Sequence, residues 1–281
     1  MKRKAIKRII GAKLLAWTSA IEADVTGNPL LAGFAGLSGR VNDSFIVTGG
    51  CIVSLLQNEE PNDFDVYLAD RAVCAELARY YTMKLSSAAH IEEFDGGVLV
   101  YIPSSGCLRA NSAPEKGSFS PVCITSNAIS LEGGVQVITR FVGTPAEVHR
   151  NFDFAHTKSY YTKEGGLVLD PVAVECILMK ELRYVGSLYP LSSIIRIRKF
   201  ISRGWTVSAG EILKAIFDVS ALDLTDLAVL RGQLIGVDVS YFMALISSLE
   251  AKTKGDSPEW DRDYLFALIT DLFDEIDHNE D

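Results

Sequence analysis

Asp63 and Asp65 stand one residue apart in "NDFDVYL", and Gly49 and Gly50 stand shortly before them in "FIVTGGCIVSLL". On extended backbone, residues two apart point to one face, so both carboxylates would project together while Phe64 and Val66 point away. Two like charges so close repel, and one would stay protonated unless a cation sat between them. A hard divalent ion such as magnesium takes oxygen ligands of this kind and fills its remaining positions with water and substrate phosphate. Glycines let the backbone approach a ligand closely, and the N–H groups of a helix start favour phosphate. The bare spacing alone would more often mark an inert solvated strand. The glycine pair ahead of it is what favours phosphate chemistry.

The elements that must position these groups are legible from periodicity and caps. Residues 45–48 and 63–68 read as short strands, with a short helix over 51–56 between them. "DRAVCAELARYYTMK" reads as a helix capped by Asp70. "GGVLVYIP" is a strand, and "SSGCLRANSAPEKGSFSP", rich in Ser, Gly and Pro, is a mobile loop. "VCITSNAISLEGGVQVITRFV" reads as two β runs joined at Glu132, Gly133 and Gly134. "TPAEVHRN" carries three helix-start signals: Thr144 at the cap, Pro145 at the first position and Glu147 closing a capping box. "FDFAHTKSYY" alternates as a strand, with Asp153 opposite the face of Phe152 and Phe154.

From Asp170 onward nearly everything is helical. Strands first and helices later imply a segregated α+β fold: a small sheet with flanking helices, then an α-helical C-terminal domain. The boundary is expected near Gly165 and Gly166, giving domains 1–165 and 166–281.

The chain has 281 residues, 48% apolar composition and a net charge of −9. That length and apolar share can bury a core and suit two domains of roughly 100–200 residues each. The acidic balance argues against broad nonspecific nucleic-acid binding, which rests on Lys and Arg neutralising phosphates. The five cysteines are scattered without a CxxC pair, so neither a zinc site nor a disulfide framework is expected, and a cytoplasmic setting fits. The basic start, "MKRKAIKRIIGAKLLAWTSA", is interrupted by Lys13 and reads as an amphipathic helix, not a secretory signal. No stretch reaches the ~20 apolar residues of a membrane span.

"TGGCIVSLL" followed by "DFDVYL" resembles the glycine turn and DxD strand of the DNA polymerase beta type nucleotidyltransferases, a group that includes tRNA nucleotidyltransferases and small antibiotic-modifying and toxin-like members. The resemblance covers residues 45–68. "VQVITRFVGTPAEVHRNFDF" is similar to a segment of often viral nucleotidyltransferase-like proteins. The resemblance implies a polymerase-beta-like sheet, Mg2+ or Mn2+, a nucleoside triphosphate such as ATP, and transfer of its nucleoside monophosphate to an acceptor hydroxyl. It also implies a third carboxylate from a strand beside the DxD strand, for which Asp153 is the candidate.

On that pattern Asp63, Asp65 and Asp153 hold one ion, and Asp63 and Asp65 hold a second. Gly49 and Gly50 cradle the phosphates, and Asp153 activates the acceptor.

The acceptor is favoured to be an RNA 3′ end, as in tRNA, because "YPLSSIIRIRKFISRGW" forms an amphipathic helix. Its basic face carries Arg196, Lys199 and Arg203, opposite Ile194, Ile197 and Ile201. Arg198 falls near the apolar stripe and needs an anionic partner. A protein or small-molecule acceptor, or a catalytically silent binding module, are the alternatives. His156 reads as structural. Lys180 and Arg183 read as an ordinary helix terminus, and Trp205, Tyr160 and Tyr161 suit either packing or base stacking. The helices after 208, opened by Ser208 and Glu211, carry the stripe Ile212, Leu213, Ile216 and Phe217.

Overall fold

The computed structural model describes residues 2–85, 89–102, 107–224 and 226–233. The chain divides into two units, Met1–Val185 and Gly186–Asp281.

The first unit opens on α1 (Lys2–Gly27), which buries Ile6, Ile10, Leu14, Trp17, Ile21 and Val25 along one stripe. The three- and four-residue spacing of these side chains is what makes the helix amphipathic. Trp17 Nε1–H donates to the Tyr81 hydroxyl at 2.7 Å, so the buried indole loses no hydrogen bond. A 3₁₀ turn (Pro29–Phe34) and α2 (Leu37–Ser44) lead into β1 (Phe45–Thr48), α3 (Gly50–Gln57), β2 (Phe64–Leu68) and α4 (Arg71–Leu85). The Asp70 carboxylate caps α4 as expected, accepting from Ala72 N at 2.8 Å and Val73 N at 3.2 Å.

A hairpin of β3 (His90–Phe94) and β4 (Gly97–Tyr101) follows, then β5 (Cys107–Arg109), β6 (Pro121–Thr125), β7 (Ala128–Leu131) and β8 (Val135–Val142). The sequence reading misses β3 and β5, and it fuses β6 with β7. β3 alternates without burying a face, and its residues are largely exposed, so it lacks the apolar period that marks a strand. The β6–β7 connection is two residues, Ser126 and Asn127, without glycine. The unit closes with α5 (Pro145–His149), a 3₁₀ turn (Ala155–Thr157), β9 (Tyr160–Thr162), β10 (Gly166–Val168) and α6 (Pro171–Met179).

Among the described residues, eight strands form one sheet in the order β10-β9-β1-β2-β8-β7-β6-β5. β2 pairs antiparallel with β1, Thr48 opposite Asp65, and parallel with β8, Asp65 opposite Gln136. This is the α+β architecture of a central sheet with flanking helices. Gly165 and Gly166, expected at the domain boundary, instead lie at the β9–β10 turn within the sheet, where Gly166 pairs with Thr162. Glycine is a turn former as readily as a linker residue.

The two faces of the sheet differ. Phe45, Val47, Phe64, Val66, Leu68, Val135 and Val137 join the main core with the stripe of α1 and residues of α3 and α4. On the other face Ile46, Tyr67 and Val148 form a small cluster, with Ile138, Phe141, Phe152 and Tyr160 against it. By strand parity, Thr48, Asp65 and Gln136 share that second face.

In the second unit, α7 (Pro190–Ser202) and α8 (Ala209–Ser220) precede the short α9 (Leu227–Gln233). Ser208 caps α8 through Glu211 N. Ile212, Leu213, Ile216 and Phe217, the apolar stripe of α8, are exposed. Residues 234–281, with the acid-rich stretch "DLFDEIDHNED" at 271–281, lie outside the described residues. No described helix is long and apolar enough to cross a membrane.

Candidate active site

The site is built where β1 ends and β2 begins. Because these strands run antiparallel, the Gly49–Gly50 turn and the carboxylates lie at the same end. Gly49 has φ +86° and ψ −150°, a conformation essentially restricted to glycine, and no side chain caps α3 after it. Its backbone passes over Asp65: a Cβ at Gly49 would stand 3.1 Å from Asp65 Oδ2. Cys51, in the first turn of α3, packs beside both acids. Its thiol titrates well above the usual range, through burial first and then the charges of Asp65 and Asp63. The first N–H groups of a helix lack intrahelical partners, a general feature that suits the start of α3 to an anionic group.

Asp63 is exposed and Asp65 half-buried. Burial first, and then the neighbouring Asp63, push the Asp65 carboxyl up to about 7. A carboxylate pair in this condition favours a cation, and a side chain at Gly49 would crowd Asp65 Oδ2. The pair suits a hard divalent ion that completes its shell with water and substrate phosphate. Among the described residues, no three His, Cys, Asp or Glu side chains are grouped to hold a metal ion.

Asp153 is therefore the main departure from expectation. It lies on no strand beside β2, whose neighbours are β1 and β8. Its backbone oxygen accepts from Val185 N at 2.9 Å, and Ala155 N donates to Arg183 O at 2.9 Å, so this segment pairs with residues 183–185 instead. The alternation of Phe152 and Phe154, read as one strand face, arises because each packs in a different place. Phe154 meets Tyr184, and Phe152 lies 5.9 Å from the Tyr67 ring. His156 follows in the 3₁₀ turn, buried, and burial pushes its imidazole down to about 4 against the opposing charge of Asp153.

Thr48 and His149, which sequence reasoning passed over, stand on the carboxylate face. Thr48 is opposite Asp65, and its Oγ1 lies 2.9 Å from His149 Nε2, 2.8 Å from Ser159 O and 3.2 Å from Thr157 O. His149 ends α5, whose capping box of Thr144 and Glu147 forms as expected. Its ring packs 4.9 Å from Phe152 and 5.7 Å from Tyr160. No spacing could have announced this contact, since 101 residues separate the two partners.

In the second unit, α7 ends before Gly204 with φ +78°. Arg196 is half-buried, while Arg198 and Lys199 are exposed. The expected place of Arg198 beside a buried stripe is corrected: Ile197 is buried but Ile201 is half-exposed, so the stripe fades before the helix ends. Trp205 is buried, 5.9 Å from Phe200, and serves packing. Arg183 grips Glu175 through two hydrogen bonds of 2.7 and 3.0 Å.

Fold and site together define an α+β protein whose central strand carries Asp65, with Asp63 just before the strand and a glycine-led helix start beside them. By sequence it belongs to the Gabija anti-defense 2 family (Gad2), whose family model matches residues 9–180. No curated protein matches the chain.

Among solved structures it is similar to the Thermotoga maritima CCA-adding enzyme complexed with tRNA, at 17% identity and TM-score 0.40, covering 80% of this chain and 51% of that one. It is also similar to an apo CCA-adding enzyme, at 15% identity and TM-score 0.40 over 89% and 69% of the two chains. A third is a tRNA nucleotidyltransferase complexed with a primer tRNA and an incoming ATP analog, at 17% identity and TM-score 0.38 over 74% and 57%. The chain thus spans about half the length of the first of these.

Proposed function

We propose that the protein transfers a nucleoside monophosphate from a nucleoside triphosphate to an acceptor hydroxyl, using Asp63 and Asp65 to hold Mg2+ or Mn2+. The observation that carries this reading is the pairing of Asp65, raised to about 7 by burial and by Asp63, with a glycine turn so close that a Cβ at Gly49 would stand 3.1 Å from Asp65 Oδ2. When bound, the ion would neutralise charge on the triphosphate and the attacking oxygen. The chain's own part is to position. Gly49 and Gly50 admit the phosphates to the start of α3, and Asp63 and Asp65 fix the reacting end of the substrate.

The basic residues Arg196, Arg198 and Lys199 of the second unit suit contact with a phosphodiester backbone, which favours a nucleic acid such as tRNA, through its 3′ hydroxyl, as the acceptor. The family description supports a setting in which this transfer acts against Gabija defence.

The test is incubation with each α-labelled nucleoside triphosphate, Mg2+ or Mn2+, and total cellular RNA or protein. Label on a macromolecule that is lost in Asp65→Asn supports the reading; label retained in that variant refutes it. A second reading, a binding module without catalysis, is favoured by the lack of a three-acid group among the described residues. Calorimetry with a nonhydrolysable triphosphate, with and without Mg2+, together with an absence of labelling, would select it.

A further inference from the structure

We propose that His149 is the base that takes the proton from the acceptor hydroxyl, held in one tautomer by Thr48. The assignment rests on the nucleotidyl-transfer reading above and gives His149 the role that the sequence assigned to Asp153.

The geometry fixes where the imidazole protons sit. Thr48 Oγ1 contacts two carbonyl oxygens, Ser159 O at 2.8 Å and Thr157 O at 3.2 Å, and carbonyls only accept. The single hydroxyl hydrogen of Thr48 is directed to them, so at 2.9 Å the His149 Nε2 must be the donor to Oγ1. In the neutral ring Nδ1 is then the atom with the lone pair, and the described residues offer it no hydrogen-bond donor.

Location supports the role. Thr48 and Asp65 are cross-strand partners, and such side chains have Cβ atoms about 4.5–5.5 Å apart. The imidazole is thus one side chain removed from the carboxylate that would hold the ion beside the reacting phosphate. Phe152 and Tyr160 flank the ring and limit its rotation. The charged groups around it are Lys158 and Asp170, with Asp65 and Asp63 beyond Thr48.

Burial, and then the charge of Lys158, push His149 down to about 4, so the ring is neutral at pH 7 and its lone pair is free. The negative charge of a bound triphosphate would raise that value and make the base stronger when substrate is present. In the transfer itself, the acceptor O–H bond breaks and its proton passes to Nδ1. The acceptor oxygen forms a bond to the α-phosphorus. The bond from that phosphorus to the bridging oxygen breaks, pyrophosphate leaves with the electron pair, and His149 returns its proton to water.

Two experiments test the assignment. With α-labelled triphosphates and total RNA, His149→Ala should transfer about 10²–10⁴-fold more slowly, the usual contribution of a general base. It should still bind a fluorescent ATP analogue with Mn2+ as wild type does, and imidazole in the buffer should restore part of the rate. His149→Gln, which keeps a hydrogen-bond donor for Thr48, should be as slow and melt like wild type.

Wild-type turnover in His149→Ala, or a loss that imidazole leaves unchanged, overturns the assignment. Independently of activity, long-range proton–nitrogen spectra of the four histidines should show His149 protonated at Nε2, and Thr48→Val should mix its tautomers. A proton on Nδ1 in the wild type overturns the assignment as well. If Asp65→Asn is dead while His149→Ala is active, only the role of His149 falls. If the wild type transfers nothing, the nucleotidyl reading falls and takes this one with it.

Discussion

The two faces of the central sheet are built on opposite terms. One joins a continuous core of aliphatic and aromatic side chains that includes the whole buried stripe of α1. The other has three buried apolar residues at its heart and, around them, a strained glycine, a carboxylate pair and a histidine–threonine contact. Packing density makes the first face rigid, and that rigidity lets the second carry groups that oppose stability. The contrast implies that removing a packed side chain from the first face and removing the charge of Asp65 from the second should change stability in opposite directions.

The largest effect should come from the apolar face. Trp17→Ala removes a fully buried ring and its hydrogen bond to Tyr81, and should lower the unfolding free energy by about 3–5 kcal/mol in a denaturant titration. Cation-induced stabilisation should survive wherever the variant remains folded.

Asp65→Asn should do the reverse. An acid raised from 3.8 to about 7 weakens the fold increasingly as pH rises between those values, because the native state must then carry an unfavourable charge. The variant should therefore be more stable than wild type at pH 8, by on the order of 2–3 kcal/mol, and no different at pH 3. Mg2+ should raise the melting temperature of the wild type at pH 8 and leave the variant unmoved. A variant less stable than wild type at pH 8 would break the comparison.

Gly49→Ala tests the junction of the two faces. Alanine is strained at φ +86° and would press on Asp65, so about 1–2 kcal/mol should be lost along with the Mg2+ response. The smallest effect is expected from Thr144→Ala, which opens the capping box of α5. It should cost about 1 kcal/mol by thermal melting.

Much of the fold is legible in the sequence wherever the signal is local. The caps at Asp70 and Thr144 and the pair of strands around Gly49 follow from neighbouring residues alone. What escapes is tertiary. The segment around Asp153 has the alternation of a strand, but its two phenylalanines pack in different places and its backbone pairs with residues 183–185. The Thr48–His149 contact exists only because the fold brings α5 against β1. At the site, the carboxylate pair and the glycine turn on which the proposed chemistry rests are readable from Asp63, Asp65, Gly49 and Gly50. The residue suited to receive a proton is not, since His149 in "TPAEVHRN" looks like any other helix end.

The pairing of β2 with an antiparallel neighbour on one side and a parallel one on the other has a consequence for how such a site can change over time. Side chains alternate along β2, so sliding it by a single position would turn Asp65 into the oily interior and bring Phe64 and Val66 out in its place. Small adjustments of this strand are thus closed to drift: the acidic group keeps its address or the sheet comes apart. Diversification among relatives should accordingly gather in the helices and turns that lie over that face.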